Sequence, residues 1–169
     1  MVQWRGVFTA IALVLIATVS ASAQGQKYVG GGLAYNIDEP ESEFGITALG
    51  WLPVNGPSGI PFKPMVLAPR FTTLPGLDYW QVDADMLWDI PLQAQHNFHP
   101  FIGMGVGLVH SSFGPNFSDN TPLLNFDFGL RYARPTSKIQ LLLDAHYSSG
   151  LDYPNTMHLN FGVLVPFGQ

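Results

Sequence analysis

An all-β fold, an eight-stranded antiparallel up-and-down barrel crossing a membrane by its strands, is predicted by three observations on this chain of 169 residues. Polar and apolar residues alternate with period two in one stretch after another, with no competing helical spacing. Gly- and Pro-rich turns separate these stretches at regular intervals, as in a meander of short strands. Only 11% of the residues are charged, against ~25% in soluble domains, so much of the outer surface is expected never to meet water.

The N-terminal segment reads as a leader. Arg5 precedes an apolar run from Val7 to Val19, and Ala21-Ser22-Ala23 forms a small-residue cleavage site. The run is too short for a spanning helix. Residues 1–23 are therefore expected to be a signal peptide and 24–169 a single barrel domain, exported to the envelope. With Cys 0, disulfides, thiolate metal sites and thiol nucleophiles are excluded. A net charge of −5 argues against a nucleic-acid partner.

The strands follow in order. Tyr28 to Ile37 is glycine-rich, with Leu33, Tyr35 and Ile37 on one face, and the acidic loop Asp38 to Glu43 follows. Phe44 to Leu52 puts Phe44, Ile46, Ala48 and Leu52 on one face. Asn55-Gly56-Pro57-Ser58-Gly59 must turn. Met65 to Thr73 sets Met65, Leu67 and Phe71 opposite Arg70 and Thr72, although Pro69 removes a ladder donor. Tyr79 to Ile90 alternates most sharply. Trp80, Val82, Ala84, Met86, Trp88 and Ile90 oppose Gln81, Asp83, Asp85 and Asp89. The two tryptophans are about 19 Å apart in height at ~3.3 Å per residue and a 45° tilt.

In Phe98 to His110, Ile102, Met104, Val106 and Leu108 face away from Gly103, Gly105 and Gly107. Alternating glycines make room inside a narrow barrel for bulkier neighbours. Ser111 to Thr121 reads as the longest polar loop. Leu124 to Tyr132 opposes Leu124, Phe126, Phe128, Leu130 and Tyr132 to Asn125, Asp127, Gly129 and Arg131. Pro135 to Lys138 turns into Ile139 to Tyr147, where Leu141, Leu143, Ala145 and Tyr147 oppose Gln140, Asp144 and His146. The last strand, Met157 to Phe167, sets Met157, Leu159, Phe161, Val163 and Val165 against His158, Asn160 and Gly162.

Alternation alone does not say which face is inside. A soluble, lipocalin-like ligand-binding barrel would turn Trp80, Val82 and Met86 inward; a membrane barrel would turn them to lipid. The polar faces carry no Lys in mid-strand, and Trp80, Trp88, Tyr132, Tyr147 and Phe167 sit towards strand ends, as an interfacial aromatic girdle would. Both features, with the charge deficit, favour lipid.

The strand His99-Pro100-Phe101-Ile102-Gly103-Met104-Gly105-Val106-Gly107 and the terminal Leu159-Asn160-Phe161-Gly162-Val163-Leu164-Val165-Pro166-Phe167 resemble the small eight-stranded outer-membrane barrels of Gram-negative bacteria, the OmpA/OmpX-like superfamily. The terminal strand resembles the signal read by the barrel-assembly machinery, with Pro166 and the trailing Gly168-Gln169 as departures. The resemblance spans the chain after its leader. It implies the cell outer membrane as location, outer-membrane lipid and lipopolysaccharide as surroundings, and a monomer, but no activity.

An inward polar face would place Arg70, Asp83, Asp85, Asp127, Arg131 and Asp144 together in the lumen, with Asp89, His146 and His158. Pairing Leu74 with Tyr79 sets Arg70 opposite Asp83; a similar register brings Arg131 near Asp144. A structural network that fills the lumen, or a gated small pore, would follow. The acidic loop is expected to be solvated, although it could hold a divalent cation at the lipopolysaccharide surface. No cofactor is implied, and His96, His99 and His110 lack metal-ligand spacing.

One stretch suggests catalysis. His146-Tyr147-Ser148 resembles the His-x-Ser-Asn motif of lipid A 3-O-deacylases, also eight-stranded outer-membrane barrels, in which the serine attacks an ester and the histidine is its base. Ser149 stands in place of the Asn, and His158, Leu159 and Asn160 stand where an acidic partner is expected. That family turns its pair to lipid, whereas the alternation here turns His146 and Ser148 inward. The expected role is structural or surface-interacting, with a deacylase-like serine esterase and a soluble ligand-binding barrel as alternatives.

Overall fold

The structure, a computed structural model, describes residues 25–37, 42–54, 65–74, 79–91, 97–112, 118–150 and 154–168. The expected leader and most of the acidic loop lie outside them. Eight strands run β1 (Lys27–Asn36), β2 (Glu43–Val54), β3 (Met65–Leu74), β4 (Tyr79–Asp89), β5 (Phe98–Ser112), β6 (Ser118–Ala133), β7 (Gln140–Gly150) and β8 (Thr156–Phe167). Each pairs antiparallel with the next, and β8 returns to β1, with Lys27 opposite Phe167, to close the barrel. Closure leaves no edge strand, the condition a sheet must meet to cross lipid.

In the expected polar loop from Ser111 to Thr121, residues 113–117 lie outside the described ones, and the described residues on either side are strand. His110 pairs with Asn120, Ser111 with Asp119 and Ser112 with Ser118, so the β5–β6 hairpin extends well past the apolar stretch. Its polarity reflects position at the rim rather than irregular backbone.

Pro69 lies within β3, and the sheet accommodates it in one place. Leu49 pairs with Arg70 and Leu52 with Leu67, but the intervening pairs are missing from the β2–β3 ladder. The proline ring takes the space opposite Gly50, where a Cβ would meet Pro69 Cγ at 3.0 Å. On its other side β3 keeps full register with β4, including Leu74 opposite Tyr79 and Arg70 opposite Asp83.

The faces divide as alternation requires. Phe44 is 66% exposed, Phe128 65% and Leu33 56%, while Asp85 is 0% exposed. Among the described strand residues, Lys27 at the start of β1 is the only Asp, Glu, Lys or Arg with outward parity. A soluble ligand-binding barrel would show the opposite arrangement.

The lumen is not polar throughout, as the sequence suggested. Leu49, Trp51, Val66, Ala68, Leu87, Phe101, Leu142 and Leu164 form a buried apolar layer at the end where β1 starts and β8 finishes, the terminal end, with Tyr28 packed against it. Trp51 and Phe101 meet edge to face at 5.3 Å between centroids. A smaller apolar cluster, Leu74, Tyr79, Val109 and Leu123, lies towards the other end. Arg70, Asp83, Asp85, Asp127 and Asp144 are held between the two.

Candidate functional site: the charged layer of the lumen

The middle layer is built from inward positions of strands far apart in sequence. β3 supplies Arg70, β4 supplies Gln81, Asp83 and Asp85, and β6 supplies Asn125 and Asp127. Asp144, His146 and Ser148 come from β7, and His158 and Asn160 from β8. All are buried. β5 contributes space. A Cβ at Gly107 would lie 2.1 Å from Asp83 Oδ1, one at Gly105 2.2 Å from Asp85 Oδ1, and one at Gly103 2.3 Å from a Leu87 methyl. Each glycine therefore makes room for a β4 side chain lying across it.

Arg70 sits opposite Asp83 on the backbone but does not hydrogen-bond to it. Its guanidinium crosses the lumen, donating from Nη1 to Asp144 Oδ2 at 2.8 Å and from Nη2 to Asp127 Oδ1 at 3.1 Å. Charge-assisted bonds of this kind are the strong ones in a dry interior. Asp83 Oδ1 instead accepts from Gln81 Nε2 at 2.7 Å and Asn125 Nδ2 at 2.8 Å. The same Asn125 nitrogen donates to Asp85 Oδ1 at 3.0 Å.

Arg131 does not reach Asp144, contrary to the register expected for β6 and β7. Gly129 is the residue opposite Asp144, and Arg131 lies opposite Leu142. Arg131 donates to Asp89 Oδ2 at 2.6 Å and Gln140 Oε1 at 2.8 Å, with its guanidinium carbon 5.1 Å from the Trp51 ring centre. This ion pair and cation–π contact sit over the apolar layer at the terminal end.

His146 and Ser148 point inward. Ser148 Oγ lies 3.2 Å from His146 Nε2, and His146 Nδ1 lies 2.8 Å from Asp127 Oδ1. A carboxylate only accepts, so Nδ1 carries a proton. The order serine, histidine, aspartate matches a hydrolytic triad in connectivity. Here, however, Ser148 is 0% exposed. Its hydroxyl donates to Asn125 Oδ1 at 3.0 Å and accepts from Gln81 Nε2 at 2.9 Å. Tyr79 Oη donates to Gln81 Oε1, extending the chain towards the upper cluster. Reactivity needs an acyl group within reach of the serine, and the lumen presents the pair to packed side chains.

The aromatic residues expected at the interfaces lie on the outer face. Trp88, Tyr132 and Phe167 are near the end where β1 starts and β8 finishes, and Trp80 and Tyr147 are near the other. Trp80 stacks on His110 at 5.2 Å, and Phe98 packs on Tyr132 at 4.9 Å. Arg134 donates to the Tyr132 hydroxyl at 2.6 Å.

Sequence reasoning missed the apolar lumen layers and the part played by Gln81, Asn125 and Asn160 in binding the aspartates. The signal was present: these residues share inward parity with the charges they hold.

No protein-family model matches the sequence, and none of the curated proteins matches it. Solved structures do. The N-terminal β-barrel domain of Pseudomonas aeruginosa OprF superposes with a TM-score of 0.66 at 11% identity, covering 86% of this chain and 100% of that one. Neisserial surface protein A gives 0.58 at 18% identity, covering 85% and 100%. Ail, the attachment invasion locus protein of Yersinia pestis, gives 0.54 at 18%, covering 86% and 100%. The chain has the fold of the small eight-stranded outer-membrane barrels.

Proposed function

We propose that the protein is a monomeric outer-membrane barrel with a plugged lumen, serving a structural role in the envelope or a contact role through its surface loops. The observation that carries this reading is the inverted polarity: among the described strand residues, an outer face free of charge beyond Lys27, around an interior of buried aspartates, histidines and Arg70. Such a surface is stable against lipid, where all backbone groups must be paired within the sheet. The terminal strand, closing on β1, would be read by the barrel-assembly machinery, and the outer face would meet lipid and lipopolysaccharide.

Steady conduction is disfavoured. The polar layer lies between two apolar ones, and Arg131 with Asp89 lies at the terminal end. A deacylase reading would require Ser148 at the lipid surface, which its inward position does not supply.

The test is expression of the full chain followed by membrane fractionation, heat-modifiable gel migration and planar-bilayer recording. The expected result is an outer-membrane protein whose folded and heated forms migrate differently and which gives no steady unit conductance. Recovery as a soluble periplasmic protein would refute the membrane assignment; stable single-channel steps would refute the plug.

A further inference from the structure

The middle layer holds more carboxylates than its one arginine pairs. Asp83, Asp85, Asp127 and Asp144 are all at least nine-tenths buried, and Arg70 is the one arginine or lysine among them. Arg70 is committed to Asp127 and Asp144. Asp83 and Asp85 form a separate pair, tied together through Oδ1 by the single Asn125 amide nitrogen. Burying carboxylates without compensation is expensive enough that something must neutralise them.

Their second oxygens are placed for that purpose. Asp83 Oδ2 and Asp85 Oδ2 are buried and accept no hydrogen bond among the described residues. His146 Nε2 lies 3.6 Å from Asp83 Oδ2. One ligand atom from each of Asp83, Asp85 and His146 falls within 4.8 Å of the others. His146 is also backed by Asp127 at Nδ1, the carboxylate–imidazole arrangement that fixes the tautomer and orientation of a metal-binding histidine. Ser148 and Gln81 also approach Nε2, but each has another partner: Ser148 has Asn125, and Gln81 has Asp83.

We propose that Asp83, Asp85 and His146 bind one divalent first-row transition cation, of the Zn2+ or Mn2+ kind, inside the barrel. One imidazole and two carboxylates suit these ions, whereas Ca2+ and Mg2+ favour all-oxygen shells. The ion would occupy the side of the layer that Arg70 does not serve. It would join β4 to β7 across the lumen, while Arg70 joins β3 to β6 and β7. Gly105 and Gly107 are integral to the site, because a side chain at either would displace a carboxylate.

The site is enclosed, so the ion is supplied during folding. The full chain would be refolded from urea into detergent micelles with Zn2+ or Co2+, passed over a desalting column with a weak chelator, and assayed for metal by mass spectrometry and visible absorption. About one metal per folded barrel, with Co2+ ligand-field bands, is expected. Asp85→Asn and His146→Gln should each lower occupancy at least about tenfold, whereas Asp89→Asn, outside the cluster, should leave it unchanged. Heat-modifiable migration monitors folding. A folded wild-type barrel without stoichiometric metal and without Co2+ bands would overturn the proposal and assign the neutralisation to bound protons. Undiminished occupancy in folded Asp85→Asn and His146→Gln would place the ion elsewhere and equally overturn it. The wild-type result decides even if a variant does not fold.

Discussion

Replacing Arg70 by Met removes the cation from the centre of the barrel while keeping most of the side chain's volume. Two charge-assisted bonds disappear, to Asp144 at 2.8 Å and Asp127 at 3.1 Å, and both carboxylates stay buried. Removing one partner of a buried ion pair costs about 3–5 kcal/mol, chiefly because the other charge is stranded. Each 1.4 kcal/mol is tenfold, so the folding equilibrium should fall by roughly two to three and a half decades. The assay is urea titration of the protein in lipid vesicles with chelator present, followed by tryptophan fluorescence and the heat-modifiable band. A second variant separates charge from packing: Arg70→Met with Asp127→Asn and Asp144→Asn should recover most of the loss, because neither former partner of Arg70 is left as a stranded charge. A single-variant loss below about 0.5 kcal/mol, within the range of ordinary surface substitutions, would refute the assignment of Arg70 as the clamp of the lumen. A triple variant as unstable as the single one would show that the loss is not electrostatic.

The remaining expectations address the outer face, the glycines and the serine. Ala84→Arg, on the outward side of β4 between Pro69 and Val106, should destabilise the vesicle-inserted barrel by about 2–4 kcal/mol if it lies at the bilayer midplane; a harmless substitution would mean that this face does not meet lipid. Gly105→Ala should cost about 1–3 kcal/mol by overpacking, since its Cβ would meet Asp85 Oδ1 at 2.2 Å and the Ala84 carbonyl at 2.4 Å; an unchanged urea midpoint would contradict the packing described. Ser148→Ala should leave lipid A acylation unchanged by mass spectrometry and reduce stability by about 1 kcal/mol through lost hydrogen bonds. A wild-type-dependent loss of an acyl chain that the variant abolishes would establish the esterase instead.

Much of the fold was legible because a strand has one periodicity and the turns have strong chemistry. Parity separated Asp83 and Asp85 from Trp80 and Met86, and the Leu74–Tyr79 turn fixed Arg70 opposite Asp83. Parity gives side, however, and not height. Trp51, Phe101 and Leu164 share inward parity with the aspartates but lie in a different layer, and nothing local distinguishes the levels. The partners of Arg70 were not legible for a related reason. They lie on β6 and β7, brought within reach only by closure of the barrel, and a long side chain in a narrow lumen is not confined to its ladder neighbour. The pairing of Arg131 with Asp144 expected from sequence needs a register two residues away from the one formed. The polar residues at the described ends of Ser111 to Thr121 are strand, because a hairpin that rises above an apolar band has no reason to be greasy.

The placement of charge also constrains how the barrel is made. β4 alone carries Asp83, Asp85 and Asp89 on one face, and β7 carries Asp144 and His146. Neither strand could enter the hydrocarbon singly without exposing those groups and an unpaired backbone to lipid, at several kcal/mol for each unsatisfied group. Asp144 is paired by Arg70 of β3 and Asp89 by Arg131 of β6, so no isolated hairpin shields those carboxylates. Insertion should therefore be concerted, with the first and last strands meeting as the carboxylates leave water, and with few half-inserted species populated along the way.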